Sequence, residues 1–598
     1  MSDTMVVMAE QAYGGGVRVD VGTVEDLKAQ GCLTGKAGSQ PVCVFWHEGR
    51  AYALDDRCPH MGFPLHRGSV ENGLVTCHWH HARFDLSSGG TMNLFADDVR
   101  AYPVELDGGQ VVVVVDDPAV DGDGRSAATA AAVDHQRRRL AEGLEQGLTL
   151  VTAKAVLALL DAGVPVEEIV RTGVDFGTTY RDAGWGAGLT VLVAMANVAP
   201  HLDPGDRALA LVHGLAFVSR DTRGRPPSFP LRPLGSVGVT PERLVAWYRR
   251  FIENRNGDAA ERALLTALDA GFPLSEVAAM MTAAATDHVF LDGGHTLDFT
   301  NKAFEAVAML GDASAPAVLA SLVPGTARAG RSEEQGQWRH PHDLAALVDD
   351  AATRLPALVE VGHPRRGEWD EVAGLAWVVL GDDPVAIVEA LCEAIASGAT
   401  PEQLGRAVAY AAGLRITRFH TQNDHGDWDA VHHGFTAGNA LHQALVRSPG
   451  DDLLRGVFHG ALRVYLDRFL NVPAARLPKV ERDVDLADLQ ACWDRQGQVD
   501  EAGAIAYGWL RAGRDPGALV AALGQALLAE DAGFHWYQTY EAAVRQFSAW
   551  PAGSDEGALL LAGCARFLAA HTPTRRELAQ VVRIAGRLRR GETLFEES

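Results

Sequence analysis

The chain has 598 residues, 47% of them apolar and 22% charged, and carries a formal net charge of −24. This composition fits several packed domains, and the acidic balance argues against the basic groove that nucleic-acid binding needs. No apolar run of about 18 residues is present, so no membrane span is predicted.

Seven cysteines, an odd number, do not make a disulfide framework and point to a reducing, cytoplasmic setting. The start lacks a basic end followed by a long apolar stretch, so no signal peptide is expected. Residues 15–116 read as short strands broken by turns. "PVCVFWHEGRAYALDD" holds two β-rich runs around a Glu-Gly-Arg turn, and "QVVVVVDD" closes the segment as a buried strand. Between them lies "CPHMGFPLHRGSVENGLVTCHWH", residues 58–80, on Gly- and Pro-rich loops.

Cys58, His60, Cys77 and His80 form a Cys-x-His and a Cys-x-x-His pair. Two thiolates and two imidazoles suit tetrahedral zinc. A zinc finger usually pairs Cys with Cys and His with His, whereas here each loop supplies one of each. That division suits a [2Fe–2S] centre with two thiolates on one iron and two imidazoles on the other. Together with the flanks "GFPLHRG" and "FDLSSG", the motif resembles the Rieske family over roughly the first hundred residues. Rieske proteins of respiratory complexes carry an extra cysteine in each loop. Phe63 stands where the first would be, and the second loop has no spare one. The resemblance is therefore to Rieske ferredoxins and the Rieske domains of oxygenases. It implies a one-electron carrier fed by an NAD(P)H-dependent reductase or a ferredoxin. His66, His78 and His81 read as loop polarity rather than ligands.

The Asp-, Gly- and Ala-rich stretch that follows reads as a linker, 117–135. Beyond it the apolar period becomes helical, with Leu148, Val151, Ala155, Val156, Leu159 and Leu160 on one face. Four segments then repeat a helix end, a Gly, a Pro and a helix start: "LLDAGVPVEEIV", "ALDAGFPLSEVA", "AIASGATPEQLG" and "WLRAGRDPGALV". Their glycines are Gly163, Gly271, Gly398 and Gly513, each followed six residues on by Ile169, Val277, Leu404 or Leu519. A longer twofold likeness pairs 205–218 with 450–466, and 292–307 with 531–544. The predicted fold is a small all-β domain followed by a large all-α domain of quasi-repeated helical units with pseudo-twofold halves. Its boundaries are 15–116, the linker, a first half 136–325, a connecting segment 326–383 and a second half 384–598.

The twofold likeness sets His213 opposite His459 and His295 opposite His535. Packing of the halves around a pseudo-twofold axis predicts that these four imidazoles converge on a metal in the bundle core. Imidazole suits iron, copper or zinc alike; a cluster able to deliver electrons favours a redox metal, giving a mononuclear non-haem iron. Lys302, one of five lysines, follows His295 by seven residues, two helical turns on the same face. "GGHTLDFTNKAFEAV" resembles segments of questin oxidase-like proteins. That resemblance implies a helical oxygenase acting on anthraquinone-type polyketides, with iron held by histidines and a carboxylated lysine, the role it gives Lys302. "FHTQNDHGDWDAVHHGF", residues 419–435, offers His420, His425, His432 and His433 with Asp424, Asp427 and Asp429. His420, His425 and His432 are the candidate pocket or proton-transfer residues, and His420 is also a reserve ligand.

The expected function is a Rieske-coupled oxygenase using O2 on a small organic substrate, a homo-oligomer being compatible with it. Two rivals remain: an electron carrier with a helical docking or substrate-binding domain, and a zinc hydrolase with a regulatory cluster. His-Glu-x-x-His, Gly-x-Ser-x-Gly and P-loop motifs are absent.

Overall fold

The computed structural model describes residues 17–37, 40–115, 122–181, 184–235, 238–423, 425–480, 483–590, 592 and 594. Two compact units form: residues up to Gly143 with Leu148–Ala162 and those from Val581 on, and Leu144–Gly147 with Gly163–Gln580.

In the first unit, strands β1 (Val17–Thr23), β2 (Cys32–Ala37), β3 (Gln40–His47), β4 (Arg50–Asp55), β5 (Ser69–Glu71), β6 (Leu74–Thr76), β7 (Arg83–Asp85), β8 (Ala101–Tyr102), β9 (Val104–Asp107) and β10 (Gln110–Val115) make three antiparallel sheets. Their orders are β1-β10-β9, β2-β3-β4-β8 and β5-β6-β7. The β3–β4 turn is Glu48-Gly49, both at positive φ, the two-residue geometry that matches strand twist. A short helix α1 (Val24–Gln30) is capped by Thr23 and ended by Gly31 in the left-handed region. The segment read as a linker is largely helical: α2 spans Gly122–Gln146. Its alanines favour helix over open coil, which outweighs the loop signal of Asp and Gly. Helix α3 (Thr149–Asp161) also belongs to this unit.

The helical elements follow the repeated glycines. The pairs are α3 with α4 (Val166–Thr179), then, past α5 (Ala187–Val198) and α6 (Pro204–Thr222), α7 (Gly257–Asp269) with α8 (Leu274–Thr286). Past α9 (His295–Leu310) come α10 (Pro384–Ala396) with α11 (Pro401–Thr417). Past α12 (His425–Arg447) and α13 (Arg455–Leu466) come α14 (Val499–Arg511) with α15 (Pro516–Ala529), and then α16 (Phe534–Phe547). The first helix of every pair has 13 residues. Each link contains its glycine at positive φ, between 70° and 94°. Pro165 and Pro273 are the N-caps of α4 and α8, whereas Thr400 and Asp515 cap α11 and α15 and proline takes the first helical position. The proline thus sits one residue later in the second half.

The helix after each pair enters a central bundle: α5 packs on α9, α9 on α12, α12 on α16, and α16 back on α5. The connecting segment is itself structured, with helix Leu344–Gly362 packed against α10. Tyr410, Phe435, Tyr537 and Tyr540 fill the core around the bundle. Among the described residues no helix is long and apolar enough to cross a membrane.

Candidate redox and metal centres

The β5-β6-β7 sheet presents two loops of matching geometry. In the first, the Cys58 N–H donates to Phe63 O (2.8 Å) and the Gly62 N–H to Cys58 O (2.7 Å). In the second, the Cys77 N–H donates to Ala82 O (2.8 Å) and the His81 N–H to Cys77 O (2.9 Å). The fourth residue after each cysteine, Gly62 (φ 82°) or His81 (φ 62°), takes the left-handed conformation that reverses the chain. Cys58 and Cys77 are both 1% exposed, packed among Leu65, Val75, Phe84 and Leu86. The His60 and His80 rings stand edge to face, 4.8 Å apart, on the outer side, and Phe95 packs on His60 at 4.9 Å. Cys58 and Cys77 are hydrogen-bonded to each other, which holds the Cys77 thiol down and the Cys58 thiol up. Backbone N–H groups of Trp79 and His80 favour the Cys77 thiolate, and those of His60 and Met61 favour that of Cys58. Burial, then the His80 ring and Lys154, lower His60 to about 4. His60 Nδ1 is buried without a hydrogen-bond partner. Two convergent thiols supported by backbone donors, with two imidazoles on the neighbouring loop positions, fit a [2Fe–2S] cluster. His66 bonds Asp56 instead (Nδ1 to Oδ2, 2.6 Å), and His78 is exposed.

The helical unit builds its own cluster. His432 and His433 come from α12, His535 from α16 and His295 from α9. Ring centroids are 3.9 Å apart for His432–His535, and 4.5 Å for both His432–His433 and His433–His535. His295 lies 4.8 Å from His433 and 5.9 Å from His535. One candidate ligand atom from each of His432, His433 and His535 lies within 4.8 Å of the others. His432 Nε2, His433 Nε2 and His535 Nδ1 are buried without a hydrogen-bond partner. Burial first, then mutual repulsion between the rings, lowers His433 to about 3, His535 to about 4 and His432 far below its usual value. Burial likewise lowers His295. Unpaired buried nitrogens are costly, and neutral imidazoles in this number are what a divalent transition metal binds. Thr539 Oγ1 lies 3.3 Å from His432 Nδ1, so a proton on Nδ1 leaves Nε2 free as a donor to metal. Phe299, Phe534 and Phe567 wall the group.

This is a different set from the four imidazoles expected to converge. His213 is fully buried, with Nδ1 2.6 Å from the Tyr537 hydroxyl and Nε2 3.1 Å from Leu528 O. A carbonyl must accept, so Nε2 donates, Nδ1 takes the Tyr537 proton, and no lone pair remains for a metal. His459 lies apart, lining a small cavity with Phe290, Leu441 and Gly460. Lys302 does not turn to His295. Its Nζ donates to Glu305 Oε2 (2.8 Å) and Glu541 Oε2 (2.7 Å), and Asn197 donates to the same carboxylates. Burial alone would lower its pKa, but Glu305, Glu541 and Asp298 hold it up. Carboxylation needs the free amine, so an ammonium clamped by two carboxylates does not fit that role. His420 lies in the loop before α12, where its Nδ1 accepts the Gln422 N–H (3.2 Å). His425 opens α12; its side chain and Asp424 fall outside the described residues.

The 419–435 cluster is readable in the sequence as a possible source of metal ligands, but neither His432 nor His433 is singled out there as one of the converging set. His420 follows Gly398 by 22 residues as His535 follows Gly513, but α11 has 17 residues against 14 in α15, so α12 starts later and its histidines with it. The adjacent His-His pair on a helix that follows a repeat pair was the available signal.

The N-terminal donor set is that of an iron–sulfur protein with mixed thiolate and imidazole ligation. Residues 17–103 match the family model of the Rieske [2Fe-2S] domain, and through this domain the chain belongs to that family. It is 31% identical over 96 residues to the ferredoxin component of an alkene monooxygenase system from Xanthobacter autotrophicus, spanning 79% of that protein and 16% of this chain. It is 35% identical over 75 residues to a human Rieske domain-containing protein, spanning about half of it (48%) and 12% of this chain. Among solved structures, the ferredoxin of carbazole 1,9a-dioxygenase from Nocardioides aromaticivorans IC177 is similar at 27% identity, with 98% of that chain and 17% of this one covered and a TM-score of 0.16.

Proposed function

We propose that this chain is a Rieske-coupled non-haem iron oxygenase acting on a small organic substrate of aromatic or polyketide type, with an NAD(P)H-dependent reductase or a ferredoxin as electron donor. One observation carries the reading. Three imidazoles, one buried and two half-buried, each with a buried unpartnered ring nitrogen, bring candidate ligand atoms within 4.8 Å of one another on a chain that also holds a Rieske domain. Zinc at these imidazoles would have no use for electrons, which favours a redox metal. When bound, the cluster supplies single electrons, and iron at His432, His433 and His535, with His295 beside them, supplies a redox-active centre for dioxygen chemistry. The chain's own part is to keep those imidazoles neutral by burial, to fix the His432 ring through Thr539, and to exclude water with Phe299, Phe534 and Phe567. The kinship to ferredoxin components supports a second reading, an electron carrier whose helical unit docks a partner.

Metal analysis of anaerobically purified full-length protein separates these. About three irons per chain support the oxygenase; about two support the carrier; about two with zinc support a hydrolase. His432→Ala and His535→Ala are each expected to lose the third metal while keeping the Rieske EPR signal. Thr539→Val is expected to weaken its binding about 10–100-fold. Full metal content in both histidine variants removes the assignment.

A further inference from the structure

We propose that Lys154 sets the reduction potential of the Rieske centre: its ammonium, delivered by α3 to the loop bearing Cys58 and His60, stabilises the reduced state. Lys154 lies well beyond the matched domain, 17–103, yet packs on its cluster side. Its Nζ donates to the carbonyl of Pro59, between the two ligands, to that of His60 (3.3 Å), and to Asp97 Oδ2 (3.3 Å). The side chain is 14% exposed, so solvent screens it weakly. A second side chain from an added helix braces the same region. Arg139 of α2 donates to Asp97 (2.9 Å), Leu94 O (3.0 Å) and Ala96 O (3.2 Å), clamping the loop whose Phe95 packs on His60. Arg139 is paired with Glu142 (2.7 Å) as well as with Asp97, so Lys154 is the cation that bonds the first ligand loop itself.

Reduction adds one electron and one negative charge, with no bond made or broken. A fixed positive charge nearby lowers the energy of the reduced form more than that of the oxidised form. The potential of such a centre is set by net charge, hydrogen bonding and exposure, and Lys154 acts on the first. With only five lysines in the chain, its placement here is a specific use of a scarce residue. The inference rests on the Rieske assignment alone, independent of the helical metal.

The test is an EPR-monitored redox titration of the full-length protein. Lys154→Met should shift the midpoint to more negative potential with unchanged g-values, and Lys154→Arg should stay near the parent. Asp97→Asn, which removes negative charge, should shift it the other way. A parental midpoint for Lys154→Met, or equal shifts for Met and Arg, overturns the proposal. If Lys154→Met fails to retain a cluster, Asp97→Asn decides: a positive shift supports the charge argument, and a negative or absent shift overturns it.

Discussion

His213 and His432 are both fully buried on helices of the same unit, yet only one can serve a metal. The difference lies in what each ring nitrogen meets. Tyr537 and Leu528 occupy both nitrogens of His213, whereas Thr539 approaches one nitrogen of His432 and leaves the other unpaired. No pattern in the chain distinguishes these cases, because the partners are more than a hundred residues away. Lys302 makes the same point in reverse. Its spacing from His295 was legible, but its partner Glu541 comes from another helix. Lys302→Met leaves Glu305 and Glu541 with Arg545, 3.9 Å from each, as their nearest remaining counter-charge and is expected to cost about 3 kcal/mol. Urea unfolding measures it. The deficit should shrink at pH 5 relative to pH 7, because in the parent Lys302 helps hold Glu305 below its usual range, and protonation relieves the unpaired charge in the variant.

At the scale of elements, the repeat was readable because its signals are local. A glycine in the left-handed region and a nearby proline end one helix and start the next without help from elsewhere. The four glycines still differ in surroundings. A Cβ on Gly271 would meet nothing within 4 Å, so Gly271→Ala is expected to cost only the backbone strain, about 1–2 kcal/mol. A Cβ on Gly398 would fall 2.2 Å from the Arg365 carbonyl oxygen, so Gly398→Ala adds a clash with backbone and should be clearly worse. Thermal or urea denaturation of the two variants checks the order. The cysteine–histidine loops were equally legible, since Cys58 and His60, and Cys77 and His80, sit close in sequence. The histidine group was legible only in part. His295 and His535 open helices at related places, but α11 has 17 residues where α8 has 13 and α15 has 14, which delays α12 and breaks the register that would draw in His433.

At the scale of the whole molecule, the all-β start and all-α remainder followed from the change of apolar period from two to nearly four residues. The bundle did not, because which helices meet is decided by packing, not by period. Buried neutral histidines also give the molecule an acid limit. Burial lowers His213 to about 4 and His459 to about 3, against 6.5 when unfolded. Below pH 6.5 the unfolded chain takes up protons that the native protein refuses. Their contribution is therefore full above 6.5 and is lost as pH falls toward 4. Urea midpoints should drop across that window, and His459→Leu should flatten the drop.

The circuit of α5, α9, α12 and α16 has no terminal member. Two of its four contacts join helices of the same half, and the other two, α9 on α12 and α16 on α5, are the same pairing made twice in opposite directions. That is the self-complementary contact by which two identical subunits associate. Helices paired in this way can carry different side chains at related places: His295, His432, His433 and His535 gather from α9, α12 and α16, while Lys302, also on α9, is held by Glu305 and Glu541.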